Sequence, residues 1–266
     1  MKSILYCIIC LLLSPLFLCC QSEEETRRLS KAERLRLWRE DSAALKIGVL
    51  PTEDCLPIIV AKELRLYDTL GVSVHLRRYR AMSECRFALE HSMVEGAVID
   101  STLMATLNSG EAWLQNGLST GMTWQFLTAK KARISRLEQL NDKIIAADSH
   151  GESRRLAESA IDSLLKKNQL VFIVQVEDLD IRLDMLNSGN VDAALLPEPF
   201  ATKARKHGAK VIDRVRSRPA GVLAMRTKAM QDTARKRQYG LFLKAVAIAK
   251  DSIRQYGTKH YTKYLE

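Results

Sequence analysis

Six carboxylates stand where apolar stretches give way to polar ones: Glu53 and Asp54 in PTEDC, Asp100 in DST, Asp148 and Glu152 in DSHGES, and Glu198 in PEP. A carboxylate makes short, directional hydrogen bonds to N–H donors, so acids converging in a crevice suit an amine or a protonated N-heterocycle. Acids also favour the caps and first turns of helices, and about half of the six are expected to serve there. The stretch SHGES offers the opposite chemistry, because Ser149, Gly151 and Ser153 at a helix start could hold a sulfonate or another oxyanion. Asp148 and Glu152 flank that stretch and repel an anion, which leaves the amine-bearing ligand as the preferred reading. Thr52, Ser101, Thr102, Ser149, His150 and Gly151 complete the candidate binding set. Trp124, like Phe126 and Tyr79, offers a ring to stack on a ligand, against the more usual place of an aromatic residue in a core. No nucleophile with a placed base, GxSxG, phosphate loop or metal-ligand spacing occurs, and His75, His91, His207 and His260 are scattered singly. The reading is binding without catalysis, with no catalytic residue, metal or cofactor assigned.

The elements that must position these acids alternate in type. LKIGVL, VSVHLRRY and EGAVI read as strands, and LPIIVAKELRLYDTLG, MSECRFALEHSM and STLMATLNSG as the helices after them. A second series repeats the order: DKIIAAD, LVFIVQV and VDAALLP as strands, ESRRLAESAIDSLLKKN, IRLDMLNSG and FATKARKHG as helices. Lys46 and Lys143, Val74 and Val171, Leu89 and Leu186, and Val94 and Val191 are all 97 positions apart. Such alternation predicts an α/β fold of mostly parallel sheets with flanking helices, built twice as two similar lobes. Ligands of parallel sheets sit beyond the carboxyl ends of the strands, which is where all six acids fall. Pro197 ends one strand and Pro199 suits a helix start, so Glu198 is held stiffly between them.

The opening MKSILYCIICLLLSPLFLCCQSEEE has one charge, Lys2, and an apolar run over residues 4–19 that is short for a membrane span and has the layout of a secretory signal. It resembles a bacterial lipoprotein signal, in which the cysteine after the cut is acylated. Cys19 supplies the small residue such a signal wants before Cys20, whereas Leu18 does not for Cys19; lipidation is expected at Cys20, with Cys19 as the alternative. Phe17 and Leu18 depart from the usual leucine-then-small pattern, and QSEEE resembles the acidic export tag of surface lipoproteins in some Gram-negative bacteria. Cys7 and Cys10 leave with the signal; Cys55 and Cys85 remain, and whether they pair is left open. Loss of Lys2 lowers the formal charge from +10 to +9. The basic residues are scattered, with a denser zone over 203–237 that lacks the interleaved aromatics of a base-stacking surface, so solvated faces or an anionic membrane surface explain them better than nucleic acid. Residues 21–44 read as a polar tether with a short helix near 31–40; a helix packed through Leu35, Leu37 and Trp38 is the alternative.

With these residues in place, the chain resembles the type 2 periplasmic substrate-binding proteins of ABC importers, in the branch serving nitrate, sulfonates and thiamine precursors. KIGVLPTEDCLPIIVAKEL, YDTLGVSVHL, EGAVIDS and IRLDMLNSGNVDAALLPEPFATKARKHGAKVI carry the resemblance over most of residues 46–212. It implies two lobes around a hinge with a ligand cleft between them, and chain crossings near 128–130 and 219–223. The expected organisation is a signal over 1–19, a tether over 20–44, lobe one over 45–128, lobe two over 129–219, and a return segment over 220–266 that completes lobe one. The implied function is a lipid-anchored, monomeric solute-binding protein of the cell envelope, facing the periplasm or on the outer-membrane surface. It would capture a small molecule, an amine or N-heterocycle such as a thiamine precursor, and deliver it to an ABC permease. A ligand sensor or scavenger without a permease, and a structural or adhesive lipoprotein that keeps the fold without a ligand, are the alternatives. Two departures stand out: Arg65 replaces a glycine usual in the family, and the C-terminal part is short. The cysteine-rich motif of the pyrimidine synthase of the same fold is missing, and a cytoplasmic lyase of that fold conflicts with the signal.

Overall fold

The buried runs GAVID and AALLP, each apolar along nearly every residue, are the pattern of strands covered on both faces. In the computed structural model, which describes residues 30–165, 170–216 and 218–265, they lie at the middle of two separate sheets. The predicted signal, both candidate lipidation cysteines and the start of the tether lie outside the described residues. Helix α1 (Lys31–Ala43) buries no side chain, and Leu35, Leu37 and Trp38 on it are exposed.

From Ala43 onward the chain is one contiguous unit. Its first sheet contains β1 (Leu45–Val49), β2 (Val74–Arg78), β3 (Gly96–Asp100), β4 (Leu114–Ser119) and β10 (Gly221–Arg226), in the order β2-β1-β3-β10-β4. The second has β5 (Trp124–Thr128), β6 (Lys143–Ala147), β7 (Val171–Gln175), β8 (Ala193–Pro197) and β9 (Lys210–Arg216), in the order β7-β6-β8-β5-β9. Four strands of each sheet run the same way, and one strand, β10 or β5, runs antiparallel between β3 and β4 or between β8 and β9. The crossovers are α2 (Leu56–Glu63), α3 (Leu66–Thr69), α4 (Met82–Glu90), α5 (Ser101–Leu107), α6 (Glu152–Leu165), α7 (Leu179–Ser188) and α8 (Phe200–Lys206).

Two expectations are corrected. Residues 124–128 were placed in lobe one, but Trp124 pairs with Pro197 and Thr128 with Ala193, so β5 is a central strand of the second sheet. The crossing therefore lies in the four residues between β4 and β5, and the chain returns between Arg216 and Gly221. The repeat is also offset by one at its first strand. Leu45 pairs with Val74 and Lys143 with Val171, while Ile47 pairs with Gly96 and Ile145 with Ala193. The second and third strands thus repeat at 97 positions and the first at 98, which makes Leu45, not Lys46, the counterpart of Lys143.

After β10 come α9 (Thr227–Gln231), α10 (Thr233–Tyr256) and α11 (Thr258–Tyr261). Helix α10 buries Phe242, Ala245, Val246 and Ala249, a stripe at intervals of three and four. Phe242 stacks on Tyr67 with ring centroids 5.5 Å apart, and the Tyr67 hydroxyl donates to Ile58 O at 2.9 Å, so the C-terminal helix is fixed to the first sheet's own helices. The long helix expected over 56–71 breaks in the middle, where Arg65 takes φ +55° between α2 and α3. Cys55 and Cys85 are buried as free thiols.

Candidate functional site

The carboxyl ends of β1, β3, β6 and β8 face one another, and most of their acids are already engaged. Asp100, fully buried at the end of β3, accepts from Leu103 N at 2.7 Å, which caps α5, and from Glu152 N in the other lobe at 2.8 Å. Burial first, then the nearby Asp148 and Glu152, push the Asp100 pKa up to about 6 against those two hydrogen bonds. The Glu152 side chain accepts from Thr102 Oγ1 at 2.8 Å, again across the lobes, and from Arg155 Nε at 2.8 Å and NH2 at 2.6 Å. Burial works to raise its pKa, but the Arg155 and Thr102 bonds win and hold it below its ordinary value. Gly151, at φ +88°, lets α6 approach this closely: a Cβ there would lie 2.7 Å from Asp100 Oδ2. Asp100, Thr102, Gly151 and Glu152 therefore form a latch between the lobes.

Asp148 is spent inside lobe two. It pairs with Arg182, which is fully buried, and accepts from Ser153 Oγ at 2.5 Å. Arg182 also donates to Val176 O and Leu195 O, and its guanidinium lies 5.7 Å over the Trp124 ring. Trp124 is accordingly buried beneath the site, with its indole N–H lacking a hydrogen-bond partner. Phe126 is core.

The remaining three acids converge at the hinge. Glu53, Asp54 and Glu198 line a hollow of about 200 Å³ with the crossing residues 120–123 and Pro197. The Glu53 N–H donates to Glu198 O at 2.9 Å, a main-chain bridge between the lobes, and the Glu198–Pro199 peptide is cis. Glu198 is well supported: Gln125 Nε2 at 2.8 Å, Arg205 NH2 at 2.7 Å and Thr202 N at 2.9 Å all donate to its carboxylate. Burial opposes them, yet they keep its pKa below the ordinary value. Asp54 accepts from Thr120 Oγ1 at 2.7 Å through one oxygen, while the other, Oδ1, is buried with no partner. Burial raises the Asp54 pKa, and burial followed by the charge on Glu198 raises that of Glu53. At Asp54 burial outweighs the Thr52 and Thr120 hydroxyls and the N–H groups of Asp54 and Cys55, and at Glu53 it outweighs the charge of Arg205, which is the electrostatic condition a cation would relieve.

The other candidates do not line this hollow, although Thr52 reaches Asp54 from behind. Thr52 is buried with its hydroxyl on Cys55 Sγ, Ser101 is exposed, and Ser149 contacts exposed His150 while its N–H donates to Glu177. What sequence reasoning missed is a larger groove of about 990 Å³ that touches both lobes and the C-terminal segment; Glu53 lines it too. Tyr79, considered above as an aromatic, is on its wall, as are Arg78, Arg80, Lys203, Lys206 and Lys259. The basic stretch KARKHG carried the signal, but read as a solvated face it gave no reason to look there.

No protein-family model matches the chain, and no curated protein does. Solved structures do. The alkanesulfonate-binding protein of Xanthomonas axonopodis pv. citri, bound to MOPS, is 15% identical, with 84% of this chain and 78% of that one covered at a TM-score of 0.65. An amino acid ABC transporter substrate-binding protein from Streptococcus pneumoniae, bound to L-arginine, is 15% identical over 86% and 96% of the two chains, with a TM-score of 0.59. A Candida albicans protein described as exhibiting the generic periplasmic binding protein fold is 16% identical over 84% and 75%, with a TM-score of 0.65. At these identities the likeness is one of architecture: the chain has the two-lobed periplasmic binding-protein fold.

Proposed function

We propose that the protein is a solute-binding protein of an ABC importer, taking a small amine-bearing molecule in the hollow between its lobes. The observation that carries this reading is the pair of under-supplied acids, Asp54 with a buried, unpartnered Oδ1 and Glu53 beside it. An ammonium or amidinium group entering there donates to both, and a buried acceptor left unmade is worth 1–3 kcal/mol, on the order of that penalty, once satisfied. The architecture supports the role, since the solved structures it matches include import-system binding components, one of them holding L-arginine. Delivery to a permease, monomeric state, lipid attachment at Cys20 or Cys19 and a place in the cell envelope belong to the same proposal. They rest on the resemblance and on the N-terminal stretch.

One observation favours a second reading, a lipoprotein that keeps the fold without transporting. The strand ends around Asp100 and Glu152 are closed by the protein's own groups, where a ligand of this fold could otherwise sit. The hollow at Asp54 weighs against it.

The test is a thermal-shift panel on the protein with polyamines, amino acids, thiamine-type pyrimidines, sulfonates and nitrate. A ligand at a hundred times its Kd stabilises the native state by about 2.7 kcal/mol. A rise with amines alone is expected. A rise with oxyanions alone overturns the amine, and no rise with any member moves the reading to the ligand-free lipoprotein.

A further inference from the structure

The groove beside the hollow has a different chemistry. Its volume, about 990 Å³, is several times that of the hollow, about 200 Å³, and gives room for a longer molecule. Its floor is apolar, formed by the buried side chains of Leu50, Ile59, Phe200 and Leu265. Five cations rim it against two acids, Glu53 and Asp180. Arg80 binds Asp178 at 2.9 Å and reaches Asp180 at 3.6 Å, which uses up one of those acids. Arg78 faces Glu63 at 3.6 Å. Lys203, Lys206 and Lys259 have no carboxylate partner among the described residues; Lys203 instead sits 5.4 Å above the Phe200 ring, at the border between charge and apolar floor.

We infer that this groove is a second binding site, for a single-chain anionic amphiphile: a carboxylate or phosphate head among the three lysines and an alkyl body along the floor. Unpaired ammonium groups attract the head, and the apolar floor takes the alkyl body out of water. An amine is repelled by the same rim, so the groove and the hollow select opposite charges. The site is independent of the amine reading, since Glu53 is the residue that lines both the groove and the hollow and the three lysines line the groove alone.

The test is calorimetric titration of the protein with dodecanoate below its micelle concentration, with dodecylammonium and inorganic phosphate as controls and anionic phospholipid vesicles as a separate arm. Dodecanoate is expected to bind at one site, dodecylammonium at least tenfold more weakly, and phosphate alone too weakly to measure. K203E/K206E is expected to weaken dodecanoate at least tenfold, with K203Q/K206Q, a gentler change at the same two positions, falling between. D54N is expected to leave dodecanoate within twofold while removing any amine response, so that the two sites fail separately. Undetectable dodecanoate binding, equal binding of dodecylammonium, binding unmoved by both lysine variants, or attachment to vesicles alone each overturns the inference.

Discussion

Asp54, Asp100 and Arg182 show how differently one buried charge can be treated. Asp54 keeps an oxygen without a donor, and the account assigns that oxygen to the ligand. Amine affinity should therefore weaken as pH falls through the raised pKa values of Glu53 and Asp54, because protonation removes the charge the ammonium pairs with; titrations between pH 4 and 8 read this directly. E198K should abolish amine binding outright, by placing a cation in the hollow and breaking the bonds to Gln125 and Arg205. Asp100 is a structural cost instead. Its folded pKa of about 6 lies above the ordinary 3.8, so the folded state binds the extra proton between those values and stability falls as pH rises from about 4 to 6. The full penalty, on the order of 3 kcal/mol, is present above pH 6 and absent below 4. Denaturant melts of wild type and D100N should diverge in slope across that window; parallel slopes would contradict the assignment. Arg182 neutralises Asp148 inside lobe two, and R182M, which leaves Asp148 buried without its cation, should cost about 3–5 kcal/mol in the same measurement.

At the scale of the element, the alternation of apolar strands and helices made both lobes legible, because parallel strands buried on two faces leave continuous apolar runs such as GAVID and AALLP. The spacing of 97 positions survives as a true repeat for the second and third strands. Strand β4 left no such trace: five of its six residues, from Gln115 to Ser119, are at least partly exposed, so LQNGLS shows neither alternation nor an apolar run. The lobe to which WQFLT belongs was equally hidden, since antiparallel pairing with β8 is a fact of three dimensions and not of local pattern. The break at Arg65 was half legible, as a residue where glycine is usual. An exposed arginine at φ +55° is strained in a way glycine is not, so R65G should stabilise the fold by about 0.5–1 kcal/mol, measured as an upward shift of the denaturation midpoint.

For the whole molecule, the site was legible as a place and not as an arrangement. All six acids do lie at strand ends, but three of them, Asp100, Asp148 and Glu152, hold the structure together, and only distances tell them from Glu53, Asp54 and Glu198. The basic groove escaped because its cations come from separated parts of the chain, Arg78 to Lys259. Closure of the lobes depends on Gly151 lying flat against Asp100. G151A introduces both a strained φ and a contact of 2.7 Å, so it should lower the melting temperature and raise the radius of gyration in solution scattering as the lobes part.

The central claim is that the unpartnered oxygen of Asp54 receives a ligand's amine. Calorimetric titration of wild type and D54N with the polyamine and amino acid panel tests it in a single series. The account predicts saturable binding of at least one amine to wild type and at least tenfold weaker binding to D54N at unchanged melting temperature. Equal affinities for the two proteins, or no amine bound by wild type, would contradict it.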